Sequence, residues 1–339
     1  MPLLQRKRVI AIKEELDGNS HSYALSSINP GTSDVIEVTE LSITPQAGDV
    51  VSRGLIKPFM GGVQQLLTNT RVECNFTVEM VGLPDPGSNA LGAPVYDAAL
   101  RACGLKNTTS SSTEGGPVDS NSYKPISENV TSICIEYNVD GVLHTVRGCR
   151  GTFSINCTVG EIPKIAFSFT GIYVAPTDDP PTFSGLTYPT TAEPKIFKSD
   201  NLTGNLSVFG HSHSPLLQSF TLDFGNTVIY RELIGSSTPQ ILITDRTITG
   251  TAVVEAPLTN DKDYFAEAIT HNQTLQTIGF THGTDDGNKI KIESTKADLT
   301  NVTYEESDGI VMLSLPFTLI ATEATTSDDQ TDDLEIAFT

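Results

Sequence analysis

Few residues in this chain have the types and spacing that chemistry needs. His144 lies five residues before Cys149, the start of a zinc-like pair, yet no further His or Cys follows at ligand spacing. His211-Ser-His213 sits in a polar stretch, where exposed loop histidines are the commoner reading. Asp285-Asp286-Gly287-Asn288 has the look of a calcium loop but lacks the acidic twelfth ligand, so it reads as a hairpin turn. There is no GxSxG elbow, Walker loop or HExxH, and Gly61-Gly62 is too short to cradle a phosphate. No catalytic, cofactor-binding or metal-binding residue is assigned, no cofactor is expected, and the chain reads as a non-enzyme.

Two further patterns invite chemistry and are read plainly. Cys74, Cys103, Cys134, Cys149 and Cys157 are odd in number and form no CxxC pair, which predicts free, buried thiols. Asn75, Asn107, Asn129, Asn156, Asn201, Asn205, Asn272 and Asn301 each open an Asn-x-Ser/Thr triplet. Without a secretory leader these triplets reflect a Thr/Asn-rich β composition, because the stretch after Met1-Pro2 turns basic before any apolar run develops.

The remaining signal lies in the elements. A chain of 339 residues is long for one core and suits two domains of about 150 residues. It is 38% hydrophobic and 18% charged, with no Trp and no stretch near the roughly 20 apolar residues of a membrane helix. The formal charge is −20: residues 1–174 hold 13 Lys+Arg against 17 Asp+Glu (−4), and residues 175–339 hold 8 against 24 (−16). Such a surface repels phosphate, so tight nucleic-acid binding is disfavoured while non-sticking contact is compatible. The one basic cluster, Arg6, Lys7, Arg8 and Lys13, reads as a solvated segment or an anchor onto an acidic neighbour.

Strict alternation marks strands. Val72, Cys74, Phe76, Val78 and Met80 alternate with Glu73, Asn75, Thr77 and Glu79, and the same period runs through 133–137, 153–159 and 165–173. Only 95–103, stopped by Gly104, and 261–270, with Asn260 or Asp261 as cap, read as helices. Placed side by side, the halves share landmarks in one order. Glu40-Leu-Ser-Ile-Thr parallels Ser219-Phe-Thr-Leu-Asp, Arg71 parallels Arg246, and Glu79 parallels Glu255; a helix and an Asp-Gly turn follow in each, at Asp140-Gly141 and Asp286-Gly287. Each copy closes on a strand pair, with Phe169-Thr170 against Phe317-Thr318. The expected fold is therefore mainly β, with two tandem domains, each with one flanking α-helix: 1–174 with an N-terminal arm, a 175–215 extended linker, and 216–339 with an acidic C-terminal tail. Residues 106–118 are expected to form a loop.

Several segments carry a family resemblance. Arg6-Lys-Arg-Val-Ile-Ala-Ile-Lys-Glu-Glu-Leu-Asp-Gly, Leu100-Arg-Ala-Cys-Gly-Leu, Val142-Leu-His-Thr-Val-Arg-Gly-Cys-Arg-Gly-Thr-Phe, Gly160-Glu-Ile-Pro, Phe167-Ser-Phe-Thr-Gly-Ile-Tyr, His282-Gly-Thr and Ser307-Asp-Gly-Ile resemble siphophage tail tube proteins. The resemblance implies tail-tube-like β-sandwich, barrel-forming domains whose hairpins join subunits into stacked rings, assembled in the host cytoplasm and carried in the virion tail. Self-association, the tape measure and other tail proteins are the implied partners, with DNA touching the lumen in passing and no membrane span. Two copies per chain imply a trimer with pseudo-sixfold symmetry, the alternative being a hexamer with the acidic copy outside. The 15 residues 175–189, at roughly 3 Å each, reach about 45 Å and can join adjacent domains. Glu73, Asn75, Thr77 and Glu79 are the candidate lumen-facing residues, with Ser154, Asn156 and Thr158 as a second polar set. Competing readings are a distal tail or neck ring protein and an extracellular adhesin-like β module.

Overall fold

Alternation of apolar and polar residues builds nearly all of the molecule. The computed structural model describes residues 4, 7–15, 30–82, 92–110, 120–178, 186–189, 191–203, 206–210, 215–236, 238–270, 275–322 and 330–339. His211 and His213, residues 111–118 of the expected loop and 323–329 of the acidic tail lie outside them.

In chain order the first elements are β1 (Arg8–Glu15), β2 (Glu40–Ser52), β3 (Gln65–Glu79), α1 (Asp97–Ala102), β4 (Leu105–Ser110), β5 (Ser120–Pro125), β6 (Ser132–Val139), β7 (Val142–Thr158), β8 (Lys164–Tyr173) and β9 (Thr177–Asp178). They are followed by β10 (Ser207–Val208), β11 (Leu217–Asp223), β12 (Asn226–Arg231), β13 (Gln240–Arg246), β14 (Thr249–Glu255), α2 (Tyr264–Ile269), β15 (Gln276–His282), β16 (Ile290–Leu299), β17 (Thr303–Ser307), β18 (Ile310–Leu319) and β19 (Glu335–Phe338). The fold is mainly β, and every strand pairing among the described residues is antiparallel.

One sheet runs unbroken through both halves in the order β2, β3, β8, β7, β11, β14, β18, β17. The long β7 makes this possible. Its early residues pair with β6 and β9, while Ser154 to Thr158 pair with β11. Around the sheet, β1 pairs with β6 as β10 pairs with β15, and β9 meets the start of β7 as β19 meets the start of β16. Two cores were expected, but most of the buried apolar residues among those described belong to one connected cluster from Ile10 to Phe338. Aromatic contacts carry it across the halves: Phe76 to Phe167 at 5.3 Å, Phe167 to Phe153 at 5.9 Å, and Phe153 stacked on Phe224 at 4.6 Å.

Local chemistry matches most sequence-based expectations and corrects some. Asp140 and Gly141 both have positive φ (44° and 112°), the requirement of a tight two-residue hairpin turn. Asp286-Gly287 does not form such a turn. It lies in a longer connection in which the Asn288 amide accepts from Gly82 N and donates to Glu193 O. The two-residue turn of the second half is Asp308-Gly309. Helix α2 is capped by Asp263 rather than Asn260 or Asp261, its carboxylate accepting from Ala266 N at 2.9 Å. Residues 106–110 of the expected loop form β4. The apolar Ile336, Ala337 and Phe338 are buried in β19, wedged between β16 and β5. Of the residues assigned to the linker, Phe197, Val208 and Phe209 are buried. The basic cluster anchors onto acids, Lys7 on Asp140 (3.6 Å) and Lys13 on Asp34 (3.0 Å).

One carboxylate sits inside this framework. Glu15 accepts from Ser132 Oγ and Gly148 N, both at 2.9 Å, with Arg147 3.8 Å away. Burial raises its pKa above the usual carboxylate value, outweighing these partners. The stability tied to this group is therefore present in acid and lost as the pH rises through its raised folded pKa. Glu15→Gln keeps the acceptor without the charge. Its melting temperature relative to wild type should rise between pH 4 and pH 8, and a flat difference would refute the assignment.

Candidate functional site

The four candidate residues lie on β3 with their neighbours Val72, Cys74, Phe76 and Val78 all buried, so the period of two turns Glu73, Asn75, Thr77 and Glu79 to the opposite face. Asn75 is exposed and the other three are half-buried. Ser154, Asn156 and Thr158 stand on the same face of β7. The two polar sets thus belong to one surface.

Register lines carry that surface across both halves. One row reads Glu40, Thr77, Ala166, Ser154, Asp223, Thr249, Thr318, and the next reads Glu79, Lys164, Asn156, Thr221, Thr251, Pro316. Further along, Glu255 and Glu305 both face Met312. No aromatic side chain occurs in these rows, whereas the reverse face holds Phe76, Phe167, Phe169, Phe153, Phe220 and Phe317, all buried.

Glu40, Glu73, Glu79, Asp223, Glu255 and Glu305 give this face six acids. On this face no positive charge falls between 73 and 79 of β3 or between 154 and 158 of β7, but cations stand next to both. Lys164 lies across from Glu79, and Arg71, two residues before Glu73, pairs with it at 3.4 Å and with Asp49 at 4.0 Å. The counterpart of Arg71 in the second half is Thr247 and not Arg246, since Phe76 and Ala252 occupy matching places. Sequence reasoning used Glu40, Asp223 and Glu255 as landmarks of the repeat but did not place them, or Lys164 and Glu305, on this face. The alternation in β8 and β11 was the available signal, but which strands adjoin is a long-range fact.

Among the described residues no three of His, Cys, Asp and Glu come together as a metal-binding group. His144 packs beside Tyr137, and burial lowers its pKa. All five cysteines are unpaired and buried, with the Cys74 and Cys134 thiols pushed up to about 12 by desolvation. No helix among the described residues is long and apolar enough to cross a membrane.

This polar face over an aromatic core extends from the first half into the second, and so does the match to known sequences. The family model described as phage tail tube protein matches residues 6–319, from the approach to β1 through the last residue of β18. The chain belongs to the phage tail tube protein family. No curated protein matches it. As a member of that family it is a structural component of the phage virion tail, made to self-assemble and to meet other tail proteins. An acidic, hydroxyl-rich surface without aromatic rings offers few cations to hold a phosphate backbone and nothing for bases to stack on.

Proposed function

We propose that this chain is the major tube subunit of a long, flexible phage tail, and that its polar sheet face lines the lumen through which DNA leaves. The observation that carries the reading is the eight-stranded sheet itself. One face is dry and aromatic, the other is polar with a net negative charge, and its edge strands β2 and β17 each pair on one side only among the described residues. Open edges on a large sheet are an invitation to pair with another chain.

The strand order supports two copies per chain. The block β2, β3, β8, β7 and the block β11, β14, β18, β17 place their first, second, fourth and third strands in the same sequence. On this reading β10 plays the part of β1, so the second copy begins at β10, ahead of residue 216. Three chains then supply six blocks, a trimer with pseudo-sixfold symmetry, because closure depends on the rotation between neighbouring blocks and not on whether a peptide joins them.

Negative-stain images of the purified protein test the role: long tubes support it, and single rings alone would favour a terminal or neck ring instead. The lumen assignment makes its own prediction. Glu73→Lys with Glu79→Lys should leave tubes assembling but slow DNA ejection from virions, since added cations hold phosphate. Unchanged ejection from assembled virions would remove those residues from the DNA path.

A further inference from the structure

The junction between the halves is a template for a junction that the chain leaves unfilled. Where the first half meets the second, β7 pairs with β11, Phe224 stacks on Phe153, and the Asn226 amide donates to Cys103 O (2.6 Å) and Gly151 O (2.8 Å). Asn226 thus bridges the C-terminus of α1 and the middle of β7. The second half has the same corner. β18 pairs Leu299 with Phe317 as β8 pairs Gly151 with Phe169, and Thr270 ends α2 as Cys103 ends α1.

At that corner the second half holds an open cavity of about 690 Å³, lined by Phe265, Ala268, Ile269, Thr270, Leu299 and Val302. Positions covered in one half are bare in the other. Ile155 is 1% exposed while its counterpart Tyr304 is 67% exposed, and Ala102 is 0% exposed while Ile269 is 72%. Large apolar side chains left open beside a cavity mark a surface built to be covered.

The complementary surface is on the same chain. The counterparts of the buried Phe220 and Leu222 are Leu41 and Ile43 on the free edge of β2, both half-buried, and beyond them β2 loses register between Thr44 and Asp49 much as β11 breaks before β12. We infer that the cavity between α2 and the β16–β17 corner receives the Thr44 to Gly48 bend of a second copy of this chain, whose β2 adds to β17. Pro45 takes the place of Phe224; Ala47 is the counterpart of Asn226, and its neighbour Gln46 supplies an amide near the carbonyls of Thr270 and Leu299. The template fixes the register: Asp223 opposite Ser154 becomes Thr44 opposite Thr303, and Leu222 opposite Ile155 becomes Ile43 opposite Tyr304. This inference rests on the tube reading and adds to it a specific contact.

Two variants of the full chain test it. Ala268→Trp fills the cavity and should abolish tubes while leaving the melting temperature of the unassembled protein unchanged. Thr44→Cys with Thr303→Cys should be joined between chains by a short bis-maleimide in assembled tubes, giving covalent multimers on denaturing gels; the native cysteines are buried and do not compete. If Ala268→Trp does not fold, the cysteine pair decides alone. Tubes that form with no Thr44–Thr303 cross-link overturn this docking and leave the tube reading intact, whereas a wild-type chain that forms neither rings nor tubes defeats the tube reading itself.

Discussion

Phe153→Ala should destabilise the unassembled protein by about 3–5 kcal/mol, the cost of removing a fully buried aromatic side chain from a core that cannot collapse around the gap. Phe153 is 1% exposed and touches rings on both sides, Phe167 from its own half and Phe224 from the other. It is the point where the aromatic core crosses from one half to the next. The loss should therefore appear in chemical denaturation as a shift of one cooperative transition, followed by fluorescence and circular dichroism alike. Two separate transitions, with only one moved, would show that the halves hold independent cores. Phe59→Ala, on the exposed far end of the β2–β3 hairpin, is the matching control and should change stability by less than about 0.5 kcal/mol.

Gly225→Ala should be nearly as damaging, at about 3 kcal/mol, for a backbone reason. Gly225 joins β11 to β12 with φ +64°, and an added Cβ would lie 2.1 Å from Thr247 O, a main-chain atom with no freedom to move aside. The left-handed conformation alone costs a non-glycine residue about 1–2 kcal/mol. Gly235 has φ +98° with nothing within 4 Å of its would-be Cβ, so Gly235→Ala should show the conformational cost without the collision. Comparing the two by denaturation isolates the steric part. Equal losses at the two sites would mean that the β11–β12 corner relaxes and that its close approach to Thr247 is unimportant.

The sequence made legible what depends on near neighbours. Alternation in 72–80 and 165–173 became β3 and β8, Gly104 stops α1 with φ +88°, and Asp140-Gly141 made its turn. Lys262 and Asp263 show where local reading fails. The run Asn260-Asp261-Lys262-Asp263 offers three caps, and the choice falls to packing, with Tyr264 buried and Lys262 donating to Phe209 O and pairing with Glu267. The candidate face was found strand by strand, since alternation exposes one set of residues on each. That β7 would carry it into β11, and that Lys164 would lie across from Glu79, is set by pairings between distant residues with no local signature. The burial of the chain's apolar end is set in the same way, since only β16 and β5 together make a slot for Ile336 and Phe338.

The central claim is that each chain gives two blocks of one continuous, lumen-lining sheet. Cryo-electron microscopy of the assembled tubes measures this directly, through the number of chains per ring and the side chains that face the channel. The account predicts three chains per ring, β17 of each paired with β2 of the next, and Glu73, Asn75, Asn156 and Thr221 on the inner wall. Six chains per ring with the 216–339 half outside the wall would contradict it.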